Sequence, residues 1–155
     1  MNWTPDDLRQ QLERAQASGW LEFFEAAGKK TGVSRANLIG IASRESGMQN
    51  IIAKEGHGYG IMQINDHDHW KWLQTHDMGM EPMSNIEYAA TILANFVVYY
   101  KNDYRKAIAA YKVGIRNVDL AVTKGQDPDF FTPQKNYAKD ILARAEIFRE
   151  LRKFM

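Results

Sequence analysis

A single glutamate at the end of an apolar segment, followed by a glycine-rich stretch, is the part of this chain best suited to chemistry. Glu45 stands in the segment 42–47, and residues 55–65 have the sequence Glu-Gly-His-Gly-Tyr-Gly-Ile-Met-Gln-Ile-Asn. Cleavage of a glycosidic bond needs a carboxylic acid that keeps its proton near neutral pH, and apolar surroundings favour the protonated form of an acid. The glycines let the backbone approach a bulky ligand, and the amides of Gln63 and Asn65 can bind sugar hydroxyls.

These residues resemble motifs of the goose-type lysozymes and the related lytic transglycosylases, a group similar to glycoside hydrolase family 23. That family has a Ser-Arg-Glu-Ser helix end, then Gly-Phe/Tyr-Gly-Leu/Ile-Met-Gln, then Ala-Tyr-Asn-Ala-Gly, then a helix that begins Tyr-Ala. This chain has the corresponding segments in the same order at residues 43–46, 58–63, 110–114 and 137–141. The resemblance implies a lysozyme-like fold. It also implies a peptidoglycan-cleaving muramidase that cuts the β-1,4 bond between N-acetylmuramic acid and N-acetylglucosamine, with Glu45 as general acid.

By the same resemblance, the residues around the acid are expected to bind the glycan. The candidates are Ser46, His57, Tyr59, Ile61, Met62, Gln63, Asn65, Tyr111 and Tyr137. Tyr111 and Tyr137 match tyrosines that lie in the cleft of the family. Lys112 stands where the family mostly has asparagine, which removes an amide that bonds into the cleft. Arg44 lies on a different helix face from Glu45, so we expect it to pair with a neighbouring acid or to pack, rather than to contact substrate.

A second carboxylate is missing from both positions where the resemblance places one. Those positions fall on Lys54 and Asn65, and the nearest candidate second acids are Glu55, Asp66 and Asp68. Asp66 is expected to point away from the sugar if residues 60–65 are extended. Hydrolysis with inversion needs a second acid, whereas a lytic transglycosylase uses the 6-hydroxyl of the sugar itself. The sequence therefore favours anhydro-sugar products slightly over hydrolysed ones.

The segment Asp66–His69, with His57 nearby, has residue types that bind metals. Alternating residues in a loop do not converge on one ion, so we predict an exposed polar loop at the cleft rim and no cofactor. Aromatic and methionine side chains follow, and they are suited either to a sugar-stacking rim or to a lid packed on the domain. These residues are Trp70, Trp72, Met78, Met80 and Met83.

Composition is that of an ordinary globular protein. The chain has 155 residues, of which 45% are hydrophobic and 25% are charged, and this length is sufficient for a buried core. A net charge of +1 gives no basic field for nucleic acid, and the lack of cysteine excludes disulfides. No segment reaches the roughly 18 apolar residues of a membrane span. We expect a monomer whose partners are peptidoglycan glycan strands or chitin oligomers.

The first residues lack the basic start and apolar run of a signal peptide. The chain is therefore expected to reach the cell wall after removal of a leader, by phage delivery or as an effector. Two other functions stay open. One is a chitinase of the same family, and the other is a sugar-binding or structural relative that no longer cleaves.

Helix signals dominate the chain and predict a mainly α fold with a minor β element near residues 56–65. Thr4 is expected to cap the first helix and Ser34 the third. Ser84 and Glu87 form a capping-box pattern for a long helix, Gly114 is expected to break another helix, and Thr132-Pro133 is expected to open the last one. We predict a single lysozyme-like domain over residues 1–155, with N-terminal helices in 1–33 and a catalytic core in 34–155.

Overall fold

Helices make up most of the molecule, and a short hairpin lies between the third and the fourth. The computed structural model describes residues 2–153. The elements are α1 Pro5–Ala17, α2 Trp20–Thr31, α3 Arg35–Ser46, β1 Gly58–Tyr59, β2 Ile64–Asn65, α4 Asp66–Thr75, α5 Pro82–Tyr99, α6 Tyr104–Thr123 and α7 Tyr137–Arg152. The predicted mainly α fold, with a minor β element near residues 56–65, is confirmed.

Side-chain caps explain where the first and third helices begin. Thr4 accepts a hydrogen bond from the N–H of Asp7, and the Asp7 carboxylate accepts one from the N–H of Thr4. This reciprocal pair satisfies two donors that the helix itself leaves free. Ser34 caps α3 by accepting a hydrogen bond from the N–H of Asn37.

Helix α6 is interrupted at Gly114, as predicted. Its φ of 83° and ψ of 158° are not helical, and glycine reaches this conformation without the penalty that a Cβ would add. Tyr111 and Lys112 therefore lie in the last turn before the interruption. This position directs them to the same end of the helix, beside the end of α3.

Two predicted helix starts are wrong. The N-cap of α5 is Glu81, whose carboxylate accepts hydrogen bonds from the N–H groups of Met83 and Ser84, so Ser84 already lies in the first turn. Helix α7 begins at Tyr137 and not at Pro133. The reason is that Gln134 and Lys135 have φ angles of 57° and 56°, which an α-helix does not allow, so Pro133 begins only a single 3-10 turn.

Residues 66–75 form a helix, which corrects the prediction of a polar loop there. Asn65 caps α4 by accepting a hydrogen bond at 2.8 Å from the N–H of Asp68. The sequence contained this signal, because asparagine is among the preferred N-cap residues. The alternating aspartates and histidines hid it, since they do not form a helical pattern of apolar residues.

Most residues of helix α3 are buried. It contacts α7 and α2, while α5 contacts α2 and α6, and both α1 and α6 contact α7. At Gly40 the backbones of α3 and α7 come so close that a Cβ would lie 2.9 Å from the carbonyl oxygen of Ile141. The largest fully buried side chains are Leu8, Leu12, Phe24, Leu38, Ile39, Ile41, Met48, Ile61, Met62, Ile64, Tyr137 and Phe148.

Among residues 2–153, no helix combines the length and the apolar character needed to cross a bilayer. The buried cluster includes side chains from both sides of residue 33. The division of the domain at that residue stays a prediction.

The turn between β1 and β2 is held by Asn85 of α5. This fully buried side chain accepts a hydrogen bond from the N–H of Met62 at 2.8 Å, and its amide nitrogen donates to the carbonyls of Tyr59 and Gly79 at 2.9 and 3.0 Å. Gly60 packs directly against it. A Cβ on Gly60 would lie 2.6 Å from the carbonyl oxygen of Gly79 and would overlap the amide nitrogen of Asn85.

Replacement of Gly60 by alanine is expected to lower the free energy of unfolding by about 2–3 kcal/mol, through a strained backbone and the overlap with Asn85. The matched control is Gly56→Ala, because Gly56 has a similar φ of 78° but no atom within 4 Å of the added Cβ. The control carries the backbone strain alone, about 1 kcal/mol. Urea unfolding followed by circular dichroism measures both variants. Equal losses would contradict the role given to Asn85.

Candidate active site

Glu45 lies in the last turn of α3, and 9% of its side chain is exposed. The hydroxyl of Tyr137 donates a hydrogen bond to its Oε2 at 2.6 Å, and Nζ of Lys112 lies 3.3 Å from its Oε1. These partners come from α7 and α6. The carboxyl group is thus fixed where three helices meet, with a neutral donor on one oxygen and a cation on the other.

Two buried tyrosines surround the carboxyl group. Burial, followed by the negative charge of Glu45, raises the pKa of both Tyr111 and Tyr137 well above the usual value of a phenol. Both hydroxyls therefore keep their protons and act as donors. Tyr137 donates to Glu45, whereas Tyr111 donates to the carbonyl of Met62 at 2.9 Å and fixes the hairpin turn against α6.

Two cavities adjoin Glu45. The larger has a volume of about 500 Å³, and the smaller has a volume of about 350 Å³. The residues that line both are Glu45, His57, Gln63, Asn65 and Lys112. Glu45 therefore lies where the cavities meet, so a chain of sugars that occupies both would place a linkage beside its carboxyl group.

The structure brings many of the predicted site residues to these cavities. They are Glu45, Glu55, His57, Gln63, Asn65, Asp66 and Tyr111. Glu55 lines the smaller cavity, and Asp66 lines the larger one together with Asp68. The condition under which Asp66 was expected to point away is not met, because residues 60–63 form a turn and are not extended.

Other predicted site residues lie behind the cavity walls. Ile61 and Met62 have no exposed surface, and the buried hydroxyl of Ser46 donates to the carbonyl of Ile61 at 2.7 Å. The chain folds the Ile-Met pair into the core under the hairpin, so these three side chains are not exposed to a ligand. Substrate contact by Ser46, Ile61 and Met62 stays a prediction. Tyr59 is half-buried, and its hydroxyl donates to the carbonyl of Gly56 at 2.8 Å.

Among residues 2–153, no three histidine or acidic side chains are arranged to hold a metal ion. His67 pairs with the adjacent Asp68 at 2.9 Å, and His69 bonds to the hydroxyl of Tyr88 at 2.8 Å. These histidines thus have separate partners within the protein.

The side chains expected to form a sugar-stacking rim or a packed lid differ in their burial. Trp72 stacks on the rings of Tyr88 and His76, with centroid distances of 4.1 and 4.6 Å, so it packs on the domain. Trp70 and Met83 remain about half exposed, at 48% and 49%. None of the three lines either cavity beside Glu45.

A buried ion network fixes the ends of α3 and α7. Asp140 is 2% exposed and accepts hydrogen bonds from the indole of Trp3 at 2.7 Å, from Arg44 at 2.8 Å and from Arg144 at 2.9 Å. The predicted pairing of Arg44 with a neighbouring acid is confirmed. Because Arg44 precedes Glu45, this network sets the position of α3 near the carboxyl group.

Sequence reasoning missed two features of the site. The first is the contact between Lys112 and Glu45. The resemblance draws attention to the asparagine that Lys112 replaces, and not to the charge of the lysine itself. The second is the pairing of His57 with Asp66, whose ring nitrogen and carboxylate oxygens lie 3.1 and 3.2 Å apart. The nine-residue spacing across a hairpin gives no visible pattern in the sequence.

Comparison with known proteins agrees with this architecture. Residues 22–132 match the family described as "Transglycosylase SLT domain". The chain is 29% identical over 137 residues to lysozyme G of Dromaius novaehollandiae, a match that covers 82% of this chain and 64% of that protein. It is 28% identical to lysozyme g of Casuarius casuarius, covering 82% and 71%, and 27% identical to lysozyme g of Takifugu rubripes, covering 95% and 83%.

The chain thus spans somewhat less than two thirds of the Dromaius protein. The family match covers most of the chain and includes Glu45, the hairpin and Tyr111. The chain therefore belongs to the transglycosylase SLT domain family, a glycosidase-type enzyme family.

Proposed function

We propose that this protein cleaves the β-1,4 bond between N-acetylmuramic acid and N-acetylglucosamine in peptidoglycan, with Glu45 as general acid. The observation that carries the proposal is the position of Glu45, nearly buried and between two adjoining cavities. The hydroxyl of Tyr137 fixes the carboxyl group by a hydrogen bond to Oε2. A buried acid that costs stability has little use in a protein that only binds sugars.

The first step is transfer of a proton from Glu45 to the leaving glycosidic oxygen. Oε2 is held by Tyr137, so the proton to be transferred belongs on Oε1, the oxygen that Lys112 contacts. The lysine side chain is flexible and 36% exposed, which allows the ammonium group to move aside when a glycan enters. Tyr137 meanwhile keeps the carboxyl group in position.

The amides beside Glu45 offer defined groups to the sugars. The nitrogen of Gln63 donates to the carbonyls of Ile51 and Gly60, and the oxygen of Asn65 accepts from the N–H of Asp68. The groups left for a ligand are the oxygen of Gln63 and the nitrogen of Asn65. One acceptor and one donor on the shared wall suit the hydroxyl and acetamido groups of a glycan.

After proton transfer, two products are possible. In lytic transglycosylation the 6-hydroxyl of the muramic acid residue closes an anhydro ring, and Glu45 accepts the hydroxyl proton. In hydrolysis a water molecule attacks, and a second group must take its proton.

Residues 1–155 would act as one monomeric catalytic domain, released or delivered to the cell wall as a bacteriolytic enzyme of the endolysin type.

Purified peptidoglycan and chitin oligomers, treated in parallel with the wild-type protein, test this function. We expect soluble disaccharide-peptide fragments from the walls and slower cleavage of chitin. Cleavage of chitin alone would favour a chitinase. Tight binding of glycan without any product after long incubation would identify a sugar-binding relative and contradict the proposal.

Replacement of Tyr137 by phenylalanine is expected to reduce the rate of wall cleavage about 10- to 10²-fold, because a hydrogen bond to a charged group contributes about 1.5–3 kcal/mol. The ring would still fill its buried site, so the fold should persist. Tyr99→Phe is the control, since the hydroxyl of Tyr99 bonds to Asp119 on the surface. Initial rates of turbidity loss compare the variants, and equal rates for Tyr137→Phe and wild type would remove Tyr137 from the mechanism.

A further inference from the structure

His57 and Asp66 face each other across the hairpin. His57 precedes β1 and Asp66 follows β2, in register with the pair Gly58 and Asn65. The N–H of Asp66 donates to the carbonyl of His57 at 3.1 Å. Nδ1 of the imidazole lies 3.2 and 3.1 Å from the two carboxylate oxygens of Asp66. Backbone and side-chain contacts together fix the position of the imidazole ring.

This pairing determines which ring nitrogen is available. A carboxylate accepts hydrogen bonds, so Nδ1 carries the proton and Nε2 carries the free lone pair. Within residues 2–153, Nε2 has no hydrogen-bond partner, and 71% of the His57 side chain is exposed. His57 lines both cavities that meet at Glu45. The ring therefore presents an oriented base to the same space as the acid.

The Asp66 carboxylate is less suited to act on water directly. It is 22% exposed, and both of its oxygens lie within 3.2 Å of the ring nitrogen of His57. The hydroxyl of Tyr59, which donates to the carbonyl of Gly56 at 2.8 Å, adds only a long contact of 3.4 Å to Oδ2. Burial, followed by the charge of Asp66, raises the pKa of Tyr59, so this hydroxyl keeps its proton and remains a donor. Asp66 is thus arranged to orient the imidazole ring.

We propose that His57 is the general base that activates water in a hydrolytic reaction, and that Asp66 is its positioning residue. The inference rests on the proposed function, with Glu45 as the acid. Nε2 of His57 takes a proton from water as the water oxygen bonds to the anomeric carbon. The glycosidic C–O bond breaks, and the leaving oxygen takes the proton held by Glu45. One water molecule is consumed, and a proton returns from His57 to Glu45 through solvent.

This assignment accounts for the missing carboxylates at positions 54 and 65. A glycosidase that inverts needs a base on the far side of the sugar from its acid, and an imidazole can serve as well as a carboxylate. The products expected from this chain are then free reducing ends. The sequence favoured anhydro-sugar products because only carboxylates were candidates for the base. With His57 as the base, hydrolysed products are expected instead.

Digestion of purified peptidoglycan in ¹⁸O-labelled water, followed by mass spectrometry, separates the two reactions. Hydrolysed ends gain one labelled oxygen, whereas anhydro ends gain none. For wild type we expect labelled ends. For His57→Gln we expect a loss of about 10²-fold in the rate of labelled ends, as for removal of a general base. His67→Gln, which changes a histidine paired only with its neighbour Asp68, should leave the ratio of labelled to anhydro ends unchanged.

Two further variants separate catalysis from structure. Added imidazole should restore labelled ends to His57→Ala, because a free base can occupy the space left by the side chain. Asp66→Asn should lower the rate of labelled ends when His57 is present and should have no further effect in His57→Gln, because the two residues act as one unit.

Purely anhydro products from wild type would overturn the inference and leave the proposed function intact. Loss of labelled ends in Glu55→Gln, with none in His57→Gln, would also overturn it and assign the base to Glu55. If the wild-type protein releases no fragments at all, the proposed function fails, and this inference fails with it.

Discussion

Replacement of Glu45 by glutamine is expected to reduce the rate of peptidoglycan cleavage by about 10²–10⁴-fold, the range measured for loss of a general acid. Glutamine has nearly the same shape and can still accept the hydrogen bond from Tyr137. It has no acidic proton to give to the leaving oxygen. The release of soluble fragments from purified walls measures the loss.

Two comparisons keep this result interpretable. Circular dichroism and the midpoint of thermal unfolding should match those of wild type, because the substituted side chain keeps the packing of the α3 end. Glu150→Gln, on the exposed face of α7, should cleave walls at the wild-type rate. A Glu45→Gln protein with full activity would exclude Glu45 as the acid.

The second large effect concerns stability. Replacement of Asp140 by alanine is expected to lower the free energy of unfolding by about 3–5 kcal/mol, because it leaves Arg44 and Arg144 without their buried partner. Asp6→Ala breaks an exposed pair with Arg9 and is expected to cost only about 0–1 kcal/mol. Urea denaturation of both variants measures the difference. Similar losses in the two would show that the Asp140 network contributes no more than a surface ion pair.

The contribution of the Asp140 carboxylate to the free energy of unfolding is expected to depend on pH. Burial raises the pKa of Asp140, but hydrogen bonds from Trp3 and Arg44 and the charge of Arg144 outweigh it and hold the pKa below its usual value. Because the pKa of Asp140 is lower in the folded state, its stabilisation of the fold is fully present above the unfolded-state pKa of about 4. It is lost as the pH falls through the lower folded value. The stability gap between wild type and Asp140→Ala should therefore be widest near neutral pH and shrink in acid.

The sequence predicted those parts of the fold that depend on local signals. Capping side chains at Thr4 and Ser34, and the helix-breaking Gly114, act within a few residues of where they stand, so their effects are visible in the chain. The predicted start of α7 is misplaced because Gln134 and Lys135 have positive φ angles. No residue type at those positions announces such a conformation.

The candidate site also combines features that the sequence predicts with features that depend on distant parts of the chain. The position of Glu45 at the end of a helix and its tyrosine neighbours followed from motifs. The burial of Ile61 and Met62 did not, because it depends on Asn85, more than twenty residues away, which binds the hairpin turn from α5. The pairing of His57 with Asp66 likewise depends on hairpin register, which two-residue strands do not encode in a visible alternation.

The contact between Lys112 and Glu45 required the relative placement of two helices. Position 112 could be aligned with a family asparagine, but its distance of 3.3 Å from the carboxylate oxygen depends on how α6 packs beside α3. Charge at a site is thus harder to infer from sequence than the identity of the acid.

The most direct test of the central claim is a crystal structure of Glu45→Gln with a bound peptidoglycan oligosaccharide. We expect sugars in both cavities, with the side-chain amide of residue 45 within about 2.6–3.2 Å of the glycosidic oxygen that joins them. A glycan that binds elsewhere, or one whose linkage lies beyond hydrogen-bond reach of residue 45, would contradict the assignment of Glu45 as the proton donor.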